Sequence, residues 1–343
     1  MISKKNIDKR ILILIVLLLI FIVLDVFLGS VHFNFNEFIS IITDLGNSTS
    51  PKSIIIWNYR IPKMLTSLVA GMALPLSGLL MQTIFRNPLS GPFVLGISSG
   101  AGLGVAFTIM LGSVAGLTLP LFLTGINSVV AGTLGAGAVM ILILYVSERV
   151  QNLSTLLIVG IMVGSFSSAI IGVLQYFSSE QELRNFIIWT MGSLGSSEWS
   201  EIIVLYSILT LSIIAVLKIS KGLNAITIGE NYAHTLGIDV KIVRRGTLII
   251  ASVLAGGITA IVGPIAFVGL AVPHIAKSIL NTMDHNKLIP FTLLLGGILM
   301  LFFDIASQFI VTDQVIPINV ITSLFGAPFV IAVVMKRSAK ISF

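Results

Sequence analysis

Apolar residues run along this chain in blocks of about twenty, and charged residues collect in the gaps between the blocks. Windows of that length predict ten helical spans, near 11–30, 62–85, 93–112, 119–146, 154–175, 201–218, 246–263, 265–281, 288–311 and 318–335. The blocks lack the two-residue alternation of a barrel strand. Backbone groups in hydrocarbon must be satisfied within the segment, so helices are expected. Gly263-Pro264 interrupts the run between the seventh and eighth spans, as a tight turn or a broken helix would. The first block is too long for the apolar region of a signal peptide and has no small-residue cleavage site, so it reads as an anchor.

Composition strengthens this picture. Of the 343 residues 56% are hydrophobic and 10% charged, and the mean hydropathy is +1.07. So little polar surface could not cover a soluble fold of that size, whereas a bilayer removes the need to cover it. The expected fold is an all-α polytopic membrane protein of about ten transmembrane helices, one domain over 1–343. Its largest inner connection is 219–245, and its outer ones are 31–61 and 176–200.

Charge then sets the sidedness. With both termini cytoplasmic, sixteen of the twenty Lys and Arg fall at the inner face; only Lys52, Arg60, Lys63 and Arg184 fall outside. Trp57, Trp189 and Trp199 all land at outer span ends, where an aromatic belt belongs. The net charge of +6 is therefore a membrane signature and calls for no nucleic acid. The absence of cysteine excludes disulfides, thiolate metal sites and a cysteine nucleophile.

Small residues recur at four-residue spacing in Gly96, Gly100, Gly104 and again in Gly160, Gly164, Ser168, Gly172, which suits close helix packing. Ser67, Ala70, Gly71 and Gly78 share their spacing with Ser252, Ala255, Gly256 and Gly263, in spans of opposite direction. That is a weak trace of an inverted repeat, a recurrent transporter plan.

The chain has no GxxxxGKS/T loop, no HExxH motif and no run of intramembrane carboxylates. Of the Asp and Glu residues, Asp25 and Asp304 alone fall inside predicted spans beyond a first residue, which Glu201 occupies. Ion-coupled carriers usually need ionisable groups at mid-membrane, so these absences suggest a translocation body energised by something else. No cofactor and no metal is expected on this chain.

Several residues stand out individually. Arg86, Asn87 and Pro88, followed by Gly91-Pro92, read as a structural turn rather than a substrate contact. In the inner segment Gly229–Arg245, Glu230, Tyr232, His234 and Asp239 can project from a short helix bracketed by Gly229 and Gly237. Composition alone leaves a partner-binding segment and an ordinary solvated loop equally good readings; His234 has no second ligand for a metal site. Arg60 and Lys63 lie i, i+3 at the mouth of the second span, either sharing a docking face or snorkelling at the interface. Asp304 must pair or line a wet cavity, most simply through a hydrogen bond to a neighbouring helix. His274 reads as a packing histidine. Trp189, Met191, Gly192 and Ser193 lie in an outer segment that either re-enters to line a pathway or anchors at the interface.

Arg60–Gly104 (RIPKMLTSLVAGMALPLSGLLMQTIFRNPLSGPFVLGISSGAGLG), Ile187–Leu194 (IIWTMGSL), Gly229–Arg245 (GENYAHTLGIDVKIVRR), Gly263–Lys277 (GPIAFVGLAVPHIAK) and Pro317–Phe329 (PINVITSLFGAPF) together resemble the permease subunits of ABC importers for iron siderophores, haem and cobalamin. The matches occur in family order across about 60 to 335. The resemblance implies a permease paired with a second permease subunit, identical or homologous, in a bacterial cytoplasmic membrane. It also implies two cytoplasmic ATPase subunits carrying ATP and Mg, and an extracytoplasmic binding protein. On that basis Gly229, Glu230, Tyr232, Ala233, His234, Leu236 and Gly237 couple to the ATPase, while Arg60 and Lys63 meet the binding protein. This chain carries RIPK where the family has RxPR, and Gln308 where relatives carry Arg, so its docking charges are fewer or weaker. The cargo expected first is a ferric siderophore, with haem or cobalamin as alternatives. An ion-coupled secondary carrier is the rival from another class.

Overall fold

The computed structural model describes residues 4–29, 31, 33–44, 50–115, 121–150, 153–310 and 315–341. These residues are almost wholly helical, with no strand among them. Ten long helices correspond to the ten predicted spans: α1 (Lys4–Phe27), α3 (Pro51–Ile84), α4 (Ile97–Ala115), α5 (Leu121–Arg149), α6 (Leu153–Phe177), α8 (Trp199–Ile228), α10 (Val240–Val262), α11 (Val268–Leu280), α12 (His285–Phe309) and α13 (Ile318–Ile341). Short helices connect some of them: α2 (Phe35–Thr43), α7 (Glu180–Thr190) and α9 (Glu230–Thr235). Among the described residues, seven helices are long and apolar enough to cross a membrane, and α4, α11 and α13 carry shorter apolar stretches. Residues 30, 119–120 and 311 of the predicted spans lie outside the described residues.

Two boundaries differ from the hydropathy reading, for one reason. Lys218 and Lys221 lower the hydropathy of the sixth span but do not stop a helix, so α8 continues ten residues to Ile228 and ends only at Gly229. With α10 beginning at Val240, the stretch 219–245 is no single loop, and only 229–239 leaves the two long helices. Likewise α3 begins at Pro51, not at 62, because Lys52 and Arg60 are carried on a helix end. A π-helical turn at Ile55–Arg60 precedes Pro62. Pro62 lacks the amide that an α-helix would bond to Asn58, and the wider turn absorbs the mismatch.

Gly263-Pro264 does break the chain. Gly263 (φ +84°) ends α10, and Phe267, also at positive φ (+65°), precedes α11.

α3 is the central post. It packs against α8, α10, α11 and α12, and 83% of its apolar window is buried, against 17% for α6. Glycine makes that packing possible. A Cβ on Gly78 would stand 1.5 Å from the Gly269 carbonyl oxygen on α11, and one on Gly296 of α12 would stand 2.0 Å from that of Gly71. The segments carrying the Ser-x-x-Ala-Gly spacing, α3 and α10, lie side by side, and Ser77 Oγ donates to the Ala251 carbonyl at 2.7 Å. The first small-residue stripe is used on α5, with Gly100 against Gly135 and Gly104 against Ala131. The second is used only in part: Gly160 packs on the backbone at Val94, whereas nothing approaches Gly172. Ile161, Met162, Phe166 and Val173 of α6 are exposed within the chain, as a lipid-facing or subunit-facing helix requires.

Candidate functional site

The chemistry gathers at the two ends of the bundle, called outer and inner after the positive-inside reading. At the outer end a cavity of about 550 Å³ opens among α3, α12 and the segment after α7. Arg60, Lys63, Met191, Gly192, Ser193 and Asp304 are in its wall. Lys63 Nζ pairs with Asp304 Oδ1 at 2.9 Å, and the Asp304 side chain is only 2% exposed. Asp25 of α1 lies beside Asp304. The intramembrane carboxylate therefore finds the partner its position demanded.

Arg60 is equally engaged. Its Nη1 donates to the Val26 carbonyl at 2.9 Å and to the Phe27 carbonyl at 2.7 Å, and its Nη2 donates to Val31. The guanidinium also stacks over Phe33. It thus satisfies the orphan carbonyls at the end of α1, a role that needs a planar fork of donors. Gln308 bonds the Asp304 carbonyl of its own helix at 3.3 Å.

The segment after α7 is tied down by backbone bonds. Ser193 N–H donates to Val262, and Asn319 N–H to the Met191 carbonyl. Gly192 sits at φ +74° against the turn at Gly263. Met191 and Ser193 face the cavity. Trp189 does not line it: its ring stacks on Phe186 at 5.9 Å and closes over Gly102.

At the inner end, α9 stands directly after α8. Gly229 separates the two, and Gly237 takes the left-handed conformation (φ +73°) beyond α9, its N–H bonded to His234. Glu230 Oε1 accepts from Arg244 at 2.9 Å, so α9 is braced to α10. Ala233 is buried, whereas Tyr232, His234 and Leu236 are exposed, together with Ile228 and Ile242. Asp239 caps α10 through the amides of Lys241 and Ile242.

Beneath α9 lies a buried polar chain. Thr83 Oγ1 and His285 Nε2 are 2.8 Å apart, His285 Nδ1 and Asn224 Oδ1 are 2.7 Å apart, and Asn224 Nδ2 donates to Asp284 at 3.0 Å. Gln82 accepts from Lys277 at 3.0 Å and donates to the Leu270 carbonyl. Arg86 (φ +47°) turns out of α3, and its Nη2 donates to the Ile226 carbonyl. Asn87 Oδ1 accepts from the Leu89 amide, and Pro88 follows in the same turn. These bonds link α3, α8, α11 and α12 within two turns of α9. Sequence spacing gave no hint of Asn224 or His285, whose partners lie 60 to 202 residues away. The visible signal was Asp284-His285 at a helix start, where Asp284 caps α12. His274 is half-buried and packs edge-on to Phe329.

A profile of the FecCD transport family matches residues 17–336. The chain belongs to that family. This FecCD-family chain is 36% identical over 292 residues to the hemin transport system permease protein HmuU of Yersinia pestis, covering 84% of this chain and 86% of the relative. It is 32% identical to the vitamin B12 import system permease protein BtuC of Salmonella typhi, over 83% of this chain and 85% of that one. Among solved structures, an inward-facing conformation of a metal-chelate type ABC transporter superposes with a TM-score of 0.83 at 28% identity, covering 96% and 99% of the two chains. The FecCD-family chain is therefore a multi-pass membrane permease of an ABC importer, a transport component.

Proposed function

We propose that this permease sits in a bacterial cytoplasmic membrane with both termini inside, pairs with a second permease subunit, and carries a metal chelate, a ferric siderophore first, inward. Two cytoplasmic ATPase subunits bearing ATP and Mg drive it, and an extracytoplasmic binding protein delivers the cargo. The observation that supports this most is α9, a short helix braced by Glu230–Arg244 that holds Tyr232 and Leu236 out at the face where the bilayer ends. Exposed apolar side chains outside hydrocarbon call for a protein partner. A push on α9 reaches α3 and α12 through Arg86–Ile226 and Asn224–His285.

At the outer end, a docking carboxylate on the binding protein must compete with Asp304 for Lys63 and with three carbonyls for Arg60. The outer cavity, with Met191, Gly192 and Ser193 in its wall, stands on the route of the cargo. A haem cargo is the second reading, favoured by the identity to a hemin permease.

The test is co-purification with a co-expressed ATPase in lipid. Tyr232→Asp with Leu236→Asp should weaken the complex by ~2 kcal/mol or more, about thirtyfold. An unaffected complex, or solute movement by this chain alone down an ion gradient, would sink the reading. ATP-driven uptake of labelled ferric siderophore, haem and cobalamin into the same vesicles then assigns the cargo.

A further inference from the structure

A second cavity, of about 310 Å³, lies at the inner end between the last turn of α5 and the first turns of α10. Its wall carries four cations, Arg149, Lys241, Arg244 and Arg245, against one carboxylate, Glu148. Glu148 pairs with Arg245 at 2.7 Å, and Arg244 pairs with Glu230 at 2.9 Å. With Glu230 and Asp239 just outside the wall counted too, four cations meet three carboxylates, an excess of one positive charge around a concave space. The Arg149 guanidinium carbon lies 4.2 Å from the Tyr145 ring centroid, a contact that holds the cation over the ring and spends none of its N–H donors on a carboxylate. Asp239 already satisfies the Lys241 and Ile242 amides, so side chains and not the helix end would hold a ligand.

Exposed apolar stripes lead from this cavity along the bundle. On α5, Ile141 and Tyr145 share the i, i+4 face that ends at Arg149. On α10, Ile249 and Val253 are exposed one and two turns deeper than Arg245 on the same face. A basic pocket between helices, with apolar tracks running toward mid-membrane, matches a phosphate head group joined to acyl chains. A free inorganic phosphate would use the cations and leave the tracks unused. We infer that the Arg149–Arg245 cavity binds the phosphodiester of an anionic phospholipid of the inner leaflet, its acyl chains lying along Ile141–Tyr145 and Ile249–Val253. This stands apart from the coupling role of α9, since it needs no ATPase.

The experiment uses the purified full chain in detergent micelles doped with equal phosphatidylglycerol and phosphatidylcholine, with retained lipid counted by native mass spectrometry. Phosphatidylglycerol should be retained several-fold over phosphatidylcholine. Arg149→Gln with Arg245→Gln should abolish that preference, and Arg149→Lys should keep it, which separates lost charge from lost folding. Lys221→Gln, removing a charge elsewhere on the same face, should change nothing. Equal retention of the two lipids overturns the inference, as does a Lys221→Gln variant that loses as much lipid as the double variant. Displacement of phosphatidylglycerol by millimolar inorganic phosphate would overturn the lipid assignment and make this a free-phosphate site.

Discussion

The two ends of the bundle are joined by opposite chemistry. At the outer end α1, α3 and α12 meet through ionisable side chains: the Lys63–Asp304 ion pair, Asp25 beside it, and Arg60. At the inner end α3, α8 and α12 meet through amide, hydroxyl and imidazole groups: Asn224, Thr83 and His285. A largely buried charge pair holds one arrangement, since either partner alone is costly to bury. Neutral hydrogen bonds are weaker individually and can be exchanged for bonds to water or to a neighbour. The Asn224–His285–Thr83 chain beneath α9 is built from neutral bonds that can be remade, whereas Lys63 can leave Asp304 only if another carboxylate takes its place.

That contrast is sharpest in single-partner deletions. Lys63→Met strands Asp304 beside Asp25 and should cost ~3 kcal/mol in thermal or denaturant unfolding of the purified chain. Adding Asp304→Leu should recover most of it, as for other buried pairs replaced whole by apolar residues. A single variant of wild-type stability would dissolve the distinction between the ends. His285→Leu leaves Thr83 and Asn224 short of a partner and should cost less, ~1–2 kcal/mol, while ATP-driven uptake falls further than stability does. If stability alone changes, the inner chain is scaffold and not transmission. Least affected is the exposed outer pair of Glu37 and Lys52 at 2.7 Å. The Lys52 hydrogen bond, helped by the Asn34 amide, holds the Glu37 carboxyl below its ordinary value. Its small contribution is therefore present above the ordinary carboxylate value and lost as pH falls through the lowered one. Melting of Glu37→Gln should converge with wild type in acid; a gap that persists there would mean the carboxylate is not the cause.

Much of the fold was readable because breakers mark helix ends. Gly237 and Gly263 stop helices where the chain said they would, and Gly229 opens α9 as read, although α8 also runs on to it from the expected end at 218. Lys52, Arg60, Lys218 and Lys221 misled, because hydropathy counts a terminal charge as the end of a helix while a long side chain only reaches for water. Of the site, Glu230 and Asp304 were visible as charges in unusual places. Asp25 was visible as a carboxylate in a span, but its contact with Asp304 crosses 279 positions and left no spacing to detect. Trp189 was read as either pathway or anchor, and its stacking on Phe186 shows how an aromatic beside a cavity can face the other way.

The backbone contacts of α3 at Gly71 and Gly78 bear on what kind of stroke this molecule can make. Where one helix's carbonyl nests against another's bare α-carbon, the two behave like meshed gears. A small axial slip drives oxygen into carbon, and the next comfortable mesh lies a whole turn, about 5.4 Å, further on. Two such teeth, seven residues or roughly 10 Å apart along α3, engage two different neighbours and forbid graded creep. Force applied at one end of the post must then emerge at the other as tilt or rotation of the whole block.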